Sequence, residues 1–327
     1  MKDKMKNLHN LDEFEAEFRP LVPGIINQAG EEFILCYMNF FITVVRNPNT
    51  RESYLNSCNH FFEWATEKKL GFLEITAPLI SSYIDIVESD YCPMTAKHRL
   101  YSLRQVFDYF ANTGLMETNP SRTVKAPRFS RREGATPVLA PHQVLTLIES
   151  IETDTNKGMR DRTMIAVMAY VFARVSAVCS LKVNDYHDRN GVKYLRLHEK
   201  GGKEHLMPVH HELINYLDAY LIKTGLHKEP ATPLFRSFRG RSDDLTAKAI
   251  GRVSTYRMIK KRALACGLNA DVTCHTFRAT GITTYLANFG SLEEAQKLAN
   301  HASPNTTKLY DRTSQDAIIE EVEKVKY

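Results

Sequence analysis

Apolar residues recur along much of this chain at the 3.6-residue spacing of a helix that buries one face. From Asn49 or Thr50 onward, Tyr54, Cys58, Phe61, Phe62 and Ala65 fall at i, i+4, i+7, i+8 and i+11. After Cys92-Pro93, one face carries Leu100, Leu103, Val106, Phe107 and Phe110. Two more helical stretches, from Glu31 to Val45 and from Ala77 to Val87, complete an all-helical bundle predicted over residues 31–120. Gly114 and Asn119-Pro120 close it. The first 30 residues are charged and weakly periodic, which predicts an arm or a short helix.

A second unit begins near residue 140. Helices are expected over 141–151, 161–172, 210–224, 245–266, 275–289, 292–300 and 315–326. Between them the period switches to two. Lys193–Leu197 and His205–Val209 read as the strands of a hairpin joined by Glu199-Lys200-Gly201-Gly202-Lys203. The pattern therefore describes a mainly α protein with a small antiparallel β-sheet. The expected divisions are an arm (1–30), a helical unit (31–120), a linker (121–139), a larger unit (140–312) and a last helix (313–327). That last helix shows an apolar stripe of Ala317, Ile318, Ile319 and Val322.

Composition narrows the class only modestly. The 327 residues are 43% hydrophobic and 25% charged, with a net charge of +5, as in an ordinary globular protein. The longest apolar run, Met164–Ala173, is shorter than a membrane span of about 18 residues. The N-terminal MKDKMKNLHNLDEFEAEF lacks the apolar core of a signal peptide, so a cytoplasmic location without membrane partners is expected. Six cysteines stand at irregular spacing with no CxxC and read as small apolar residues. Charge is concentrated locally. The linker holds Arg122, Lys125, Arg128, Arg131 and Arg132 against the single acid Glu133, which suits either a solvated connector or a strap along a phosphate backbone. Lys97, Arg99 and Arg104 give the helix after Pro93 a basic side, and the stretch 245–261 has another.

Candidate chemistry lies in the last third. His275 and Arg278 share a face near a helix start, where anions are favoured. A turn rich in capping residues follows at His301–Thr307, and Tyr310 comes soon after. Arg174 interrupts the apolar MIAVMAYVFARVSAVCSL and needs solvent or a partner. Each alone has a plainer reading: an ion-paired arginine, a chance HxxR, a packed tyrosine.

Their order has a different meaning. Arg, hairpin Lys, HxxR, His and Tyr in sequence resemble the tyrosine recombinase (phage integrase) family. HTFRATGITTYLANFGSLEEAQKLANHASPNTTKLYDRT is similar to its C-terminal signature, with 23 positions from Arg278 to His301 and 9 from His301 to Tyr310. LHEKGGKEHLMPV resembles the family's GKGxKxRxVP hairpin. The likeness covers about 140–320 and, more loosely, 31–120.

The resemblance implies a two-domain DNA clamp, an Xer- or integrase-like site-specific recombinase, that cuts and rejoins DNA without metal or other cofactor. Tyr310 would be the nucleophile. Arg174 and Arg278 would hold the phosphate oxygens, where a planar, permanently charged fork suits the task. Lys200, or else Lys203, would protonate the leaving oxygen, and Lys203 would otherwise contact DNA, as would Lys97, Arg99, Arg104, Lys125, Arg128, Arg131 and Arg132. His275 would accept or relay the tyrosine proton, and His301 would bind the phosphate or orient the pocket. Partners implied are a double-stranded recombination site and further copies of the chain, up to a tetramer exchanging the last helix, with room for DNA-bending accessory proteins. The chain departs from the family pattern in three places. Phe172-Ala173 replace a small residue and Gly, Ala177 replaces an acid that orients the neighbourhood of Arg174, and Ala299-Asn300 replace Leu-Gly. The same chemistry without strand exchange, in a type IB topoisomerase-like enzyme, is one alternative. A catalytically silent DNA-binding regulator is another.

Overall fold

The computed structural model describes residues 11–128, 134, 136–198 and 204–311, with side chains from Glu15 onward. The chain divides into two compact units, Met1–Ser130 and Arg131–Tyr327. No helix among the described residues is long and apolar enough to cross a membrane.

The first unit is all helical: α1 (Leu11–Phe18), α2 (Gly24–Ala29), α3 (Glu31–Thr43), α4 (Pro48–Glu67), α5 (Ala77–Asp90) and α6 (Pro93–Asn112). Local chemistry sets the boundaries. Asn47 caps α4, its side chain accepting from the backbone N–H of Asn49 and Thr50, with Pro48 at the first turn. The periodic faces bury as expected: Cys58, Phe61, Phe62 and Ala65 on α4 and Leu100, Leu103, Val106, Phe107 and Phe110 on α6 are all fully enclosed. Tilted and edge-on ring pairs fill this core, such as Phe61 of α4 on Tyr83 of α5 at 5.0 Å.

The expected arm differs. Phe18, Val22, Ile25 and Ile26 are buried in this same core, so residues 18–29 are part of the bundle. Their apolar positions are spread over two short helices and a turn, too few in each for a period to show. The linker also begins later, since Val124 is buried in the first core.

The second unit holds α7 (Pro141–Glu149), α8 (Asn156–Tyr170), α9 (Val175–Ser180), α10 (His211–Thr224), α11 (Arg252–Ala265), α12 (Cys274–Ala287), α13 (Leu292–Leu298) and α14 (Pro304–Lys308). Its strands are β1 (Tyr186–Arg189), β2 (Val192–His198), β3 (Glu204–Pro208), β4 (Arg236–Phe238) and β5 (Leu245–Ala249). The central element is α8, which packs against α7, α9, α10 and α12. Its residues Met164–Met168 are completely buried. A stretch that is apolar on all sides of a helix, as Met164–Met168 is, belongs in a core.

The hairpin pairs as expected, with Leu197 opposite His205 and Leu195 opposite Met207. Leu195, Leu197 and Met207 turn into the core. A third strand, β1, adds to it through an antiparallel pairing. The expected helix over 245–266 is corrected. Residues 245–249 form β5, paired with β4 and tied by a 2.6 Å contact between Ser237 and Thr246 hydroxyls, and the helix starts only at Arg252. Pairing with a partner strand outweighs local helix preference here. The last helix expected over 315–326, with its apolar stripe, lies outside the described residues.

Candidate active site

Four of the candidate side chains come together where α12, α13 and α14 meet the α8–α9 turn. His275 is the second residue of α12, and Arg278 follows one turn on. His301 follows α13, and Tyr310 follows α14. The Tyr310 hydroxyl lies 2.9 Å from His275 Nε2. The Tyr310 ring stacks on His301, with centroids 5.8 Å apart and planes 11° from parallel. Its own backbone is held on both sides: the N–H donates to the Thr307 carbonyl at 2.9 Å, and the carbonyl accepts from Thr283 Oγ1 at 3.0 Å. With 7% of its surface exposed, Tyr310 is a fixed phenol whose hydroxyl meets His275 and whose ring lies between His301 and an apolar cluster.

His301 is equally fixed. Its Nδ1 is 2.9 Å from the buried Thr307 hydroxyl. Its N–H donates to the Gln296 carbonyl, and its carbonyl accepts from Gln296 Nε2. Asn300, just before it, has φ +48°, so it takes the left-handed geometry that a Gly would supply there.

Arg278 is the most deeply buried of the group, at 1% exposure. Nη1 donates to the Phe172 carbonyl and Nη2 to the Ala299 carbonyl. Arg174 is half-buried and sits immediately before α9, at its N-terminal cap position. Its charge bears on the same three neighbours as that of Arg278.

The electrostatics follow from this crowding. Burial first, then the positive charges of Arg278 and Arg174, lower the pKa of His275. His275 keeps solvent access as a whole residue, so the effect comes from packing around its ring. The same causes, in the same order, with His275 added, push His301 down to about 3. Both imidazoles are therefore neutral near pH 7. Burial raises the Tyr310 pKa, and the two arginines oppose it. Two neutral bases beside a phenol and two guanidinium groups can accept a proton and hold an anion. Among the described residues no cluster of His, Cys, Asp or Glu is arranged to hold a metal ion.

The other candidates are scattered or differently used. Lys200 and Lys203, expected in the hairpin turn, and Arg131 and Arg132, expected in the linker, fall outside the described residues. Lys97, Lys125 and Arg128 are exposed. Arg99 is half-buried, lies over the Tyr91 ring at 4.4 Å and donates to the Tyr83 hydroxyl. Arg104 departs from the expectation of a DNA-facing side chain: its guanidinium donates to the Ser121 and Val124 carbonyls. A long cation near an irregular segment satisfies backbone carbonyls that would otherwise lack donors.

Two supports were not legible in the sequence. Gly134 donates its N–H to the Leu309 carbonyl at 2.8 Å, and a Cβ there would stand 3.0 Å from that oxygen. Thr280 Oγ1 accepts from Leu139 N–H at 3.0 Å. Both join residues far apart in the chain, and neither belongs to a periodic pattern.

The model for the phage integrase family matches residues 137–316. The chain is 29% identical over 280 residues to tyrosine recombinase XerC of Myxococcus xanthus, covering 83% of this chain and 89% of that one. It is 27% identical over 303 residues to tyrosine recombinase XerD of Listeria monocytogenes, covering 89% and 95%. Its fold is similar to XerH site-specific recombinase bound to palindromic difH substrate in a post-cleavage complex. There the TM-score is 0.71 at 18% identity, over 99% of this chain and 97% of that one. A lambda integrase dimer bound to a COC′ core site gives a TM-score of 0.62 at 18% identity, over 84% and 95%. The family match takes in more than half of the chain and every described residue of the cluster around Tyr310, and this protein belongs to the phage integrase family as a tyrosine recombinase.

Proposed function

We propose that this site-specific recombinase cuts DNA by attaching one strand to Tyr310 through a 3′-phosphotyrosyl bond. The observation that carries this reading is the 2.9 Å approach of the Tyr310 hydroxyl to His275 Nε2 in a pocket that Arg174 and Arg278 make positive. Neutral His275 takes the hydroxyl proton as Tyr310 Oη attacks phosphorus. The bond from phosphorus to the 5′-oxygen breaks, and Lys200 supplies that oxygen with a proton. Arg174 and Arg278 stabilise charge on the non-bridging oxygens, and removing one such preorganised donor costs roughly 10²–10³ in rate. His301 braces the Tyr310 ring and offers its remaining nitrogen to the phosphate. A second strand's 5′-hydroxyl then attacks the phosphotyrosine and frees Tyr310, so the linkage conserves the bond energy.

Double-stranded DNA and further copies of the chain are the partners on this reading. Relatives of this fold include XerH on difH substrate and a lambda integrase tetramer on a Holliday junction. The two units clamp the duplex, the basic stretch 122–132 tracks phosphates between them, and residues 313–327 dock on a neighbouring copy. The setting is a mobile element or plasmid undergoing integration, excision or resolution.

The test is a nicked suicide substrate incubated with wild type and Tyr310→Phe. A covalent protein–DNA adduct is expected with wild type alone. Equal adduct with the variant removes Tyr310 from the role.

A further inference from the structure

The turn between α8 and α9 is built around an unusual residue. Phe172 has φ +52°, in the left-handed region that a bulky side chain seldom enters. Such a conformation persists only where its surroundings over-determine it. The surroundings here are specific. A Cβ placed on Gly281 would fall 2.3 and 2.4 Å from two carbons of the Phe172 ring, so the ring occupies the space the glycine leaves open. Ala279, Ile282 and Tyr310 belong to the same apolar cluster, and Phe172 is 7% exposed.

The consequence reaches Arg278, three residues before Gly281. With this backbone geometry the Phe172 carbonyl accepts from Arg278 Nη1. On the other side, the Ala299 carbonyl accepts from Nη2 at 2.5 Å, next to left-handed Asn300. Each clasping carbonyl is therefore beside or part of a left-handed residue. One of these is Asn, which tolerates that region, and the other is Phe, which does not.

We propose that Phe172 is a positioning residue for Arg278: its ring, seated on Gly281, locks a left-handed turn whose carbonyl fixes the pose of the guanidinium. A glycine at 172 would permit the same turn without holding it. The phenylalanine gives up conformational ease for a packed anchor on the helix that carries Arg278. This inference rests on the reading that Arg278 stabilises the scissile phosphate.

The experiment measures single-turnover cleavage of a nicked suicide substrate by full-length Phe172→Gly, Phe172→Ala, Phe172→Val and Arg278→Ala. It is run with an ordinary scissile phosphate and with one in which a methyl group replaces a non-bridging oxygen. The methyl removes the charge that a guanidinium would neutralise. Valine is the least able of the three to hold the turn, and its cleavage of the ordinary substrate is expected to fall about 10–100-fold, the scale of a misplaced catalytic group. DNA affinity should be unchanged.

Glycine and alanine both lack the ring and differ in their ease at positive φ, so the glycine variant should be about 5-fold faster than the alanine one. That comparison holds even if the valine variant does not fold. On the methyl-substituted substrate, the alanine, valine and Arg278→Ala deficits should shrink together. An alanine variant as fast as glycine, or deficits at 172 that persist on the neutral substrate while that of Arg278→Ala is relieved, would overturn the role of Phe172. An Arg278→Ala enzyme as fast as wild type overturns the reading of Arg278 itself, and this inference with it.

Discussion

His275 and His301 show how neighbouring charges assign roles to single residues. Both lie beside Arg174 and Arg278, and both have depressed pKa values. For His275 the sign favours base catalysis. Its conjugate acid loses its proton more readily than an ordinary histidine, so the neutral base is present through pH 6.5 and above. The acid limb of cleavage is thus expected below pH 6.5, read from adduct formation against pH. His275→Gln should slow cleavage about 10²-fold, the lower range for a general base, and abolish that limb. For His301 the same sign becomes a stability statement. The folded pKa of about 3 lies below the ordinary 6.5, so the unfolded chain binds the proton first. Stability from the neutral ring is full above pH 6.5 and is lost as pH falls towards 3. The slope is about 1.4 kcal/mol per pH unit. Urea unfolding should show about 2 kcal/mol less stability at pH 5 than at pH 7 from this group. His301→Gln should lack that increment.

At the scale of elements, α8 carries two devices. Its far end leads into Phe172 and Arg174. Near its start, Arg160 and Arg262 share Asp161: Arg160 Nε and Nη2 reach Oδ1 at 3.0 and 2.6 Å, and Arg262 reaches Oδ2 at 3.1 and 2.9 Å. Arg160 also donates to the Arg236 carbonyl at 2.9 Å. The network joins α8, α11 and β4. Asp161→Ala would leave two cations without their carboxylate, one of them 5% exposed, and should cost about 3–5 kcal/mol in chemical denaturation. Patterns within elements were legible: the faces of α4 and α6 and the two hairpin strands follow from period. The β4–β5 pairing and strand β1 were not, because a strand's partner is chosen in three dimensions.

For the whole molecule, function rests on how cations are distributed, since a net charge of +5 is small. Each phosphate contact contributes about 0.9 to the slope of log affinity against log salt. Lys97→Gln and Arg128→Gln, both at exposed positions, should each lower that slope by about 1 and weaken binding evenly across sequences. Arg104→Gln should instead lower the stability of the first unit, because that guanidinium holds the chain's own carbonyls. Fluorescence anisotropy at several salt concentrations, beside thermal unfolding, separates the two outcomes.

By itself the sequence determined the helical faces, the hairpin, the family and the order of Arg174, Lys200, His275, Arg278, His301 and Tyr310. These depend on periodicity and fixed intervals, which a linear chain carries openly. Tertiary structure alone decided that residues 18–29 complete the first core, that Arg104 clasps its own backbone and that Gly134 supports Leu309. It alone decided that Phe172 takes a left-handed turn over Gly281 and that its carbonyl accepts from Arg278. The physical reason is common to all four: each depends on which carbonyl or cavity folding brings opposite a side chain or an N–H, and distance along the chain does not record that.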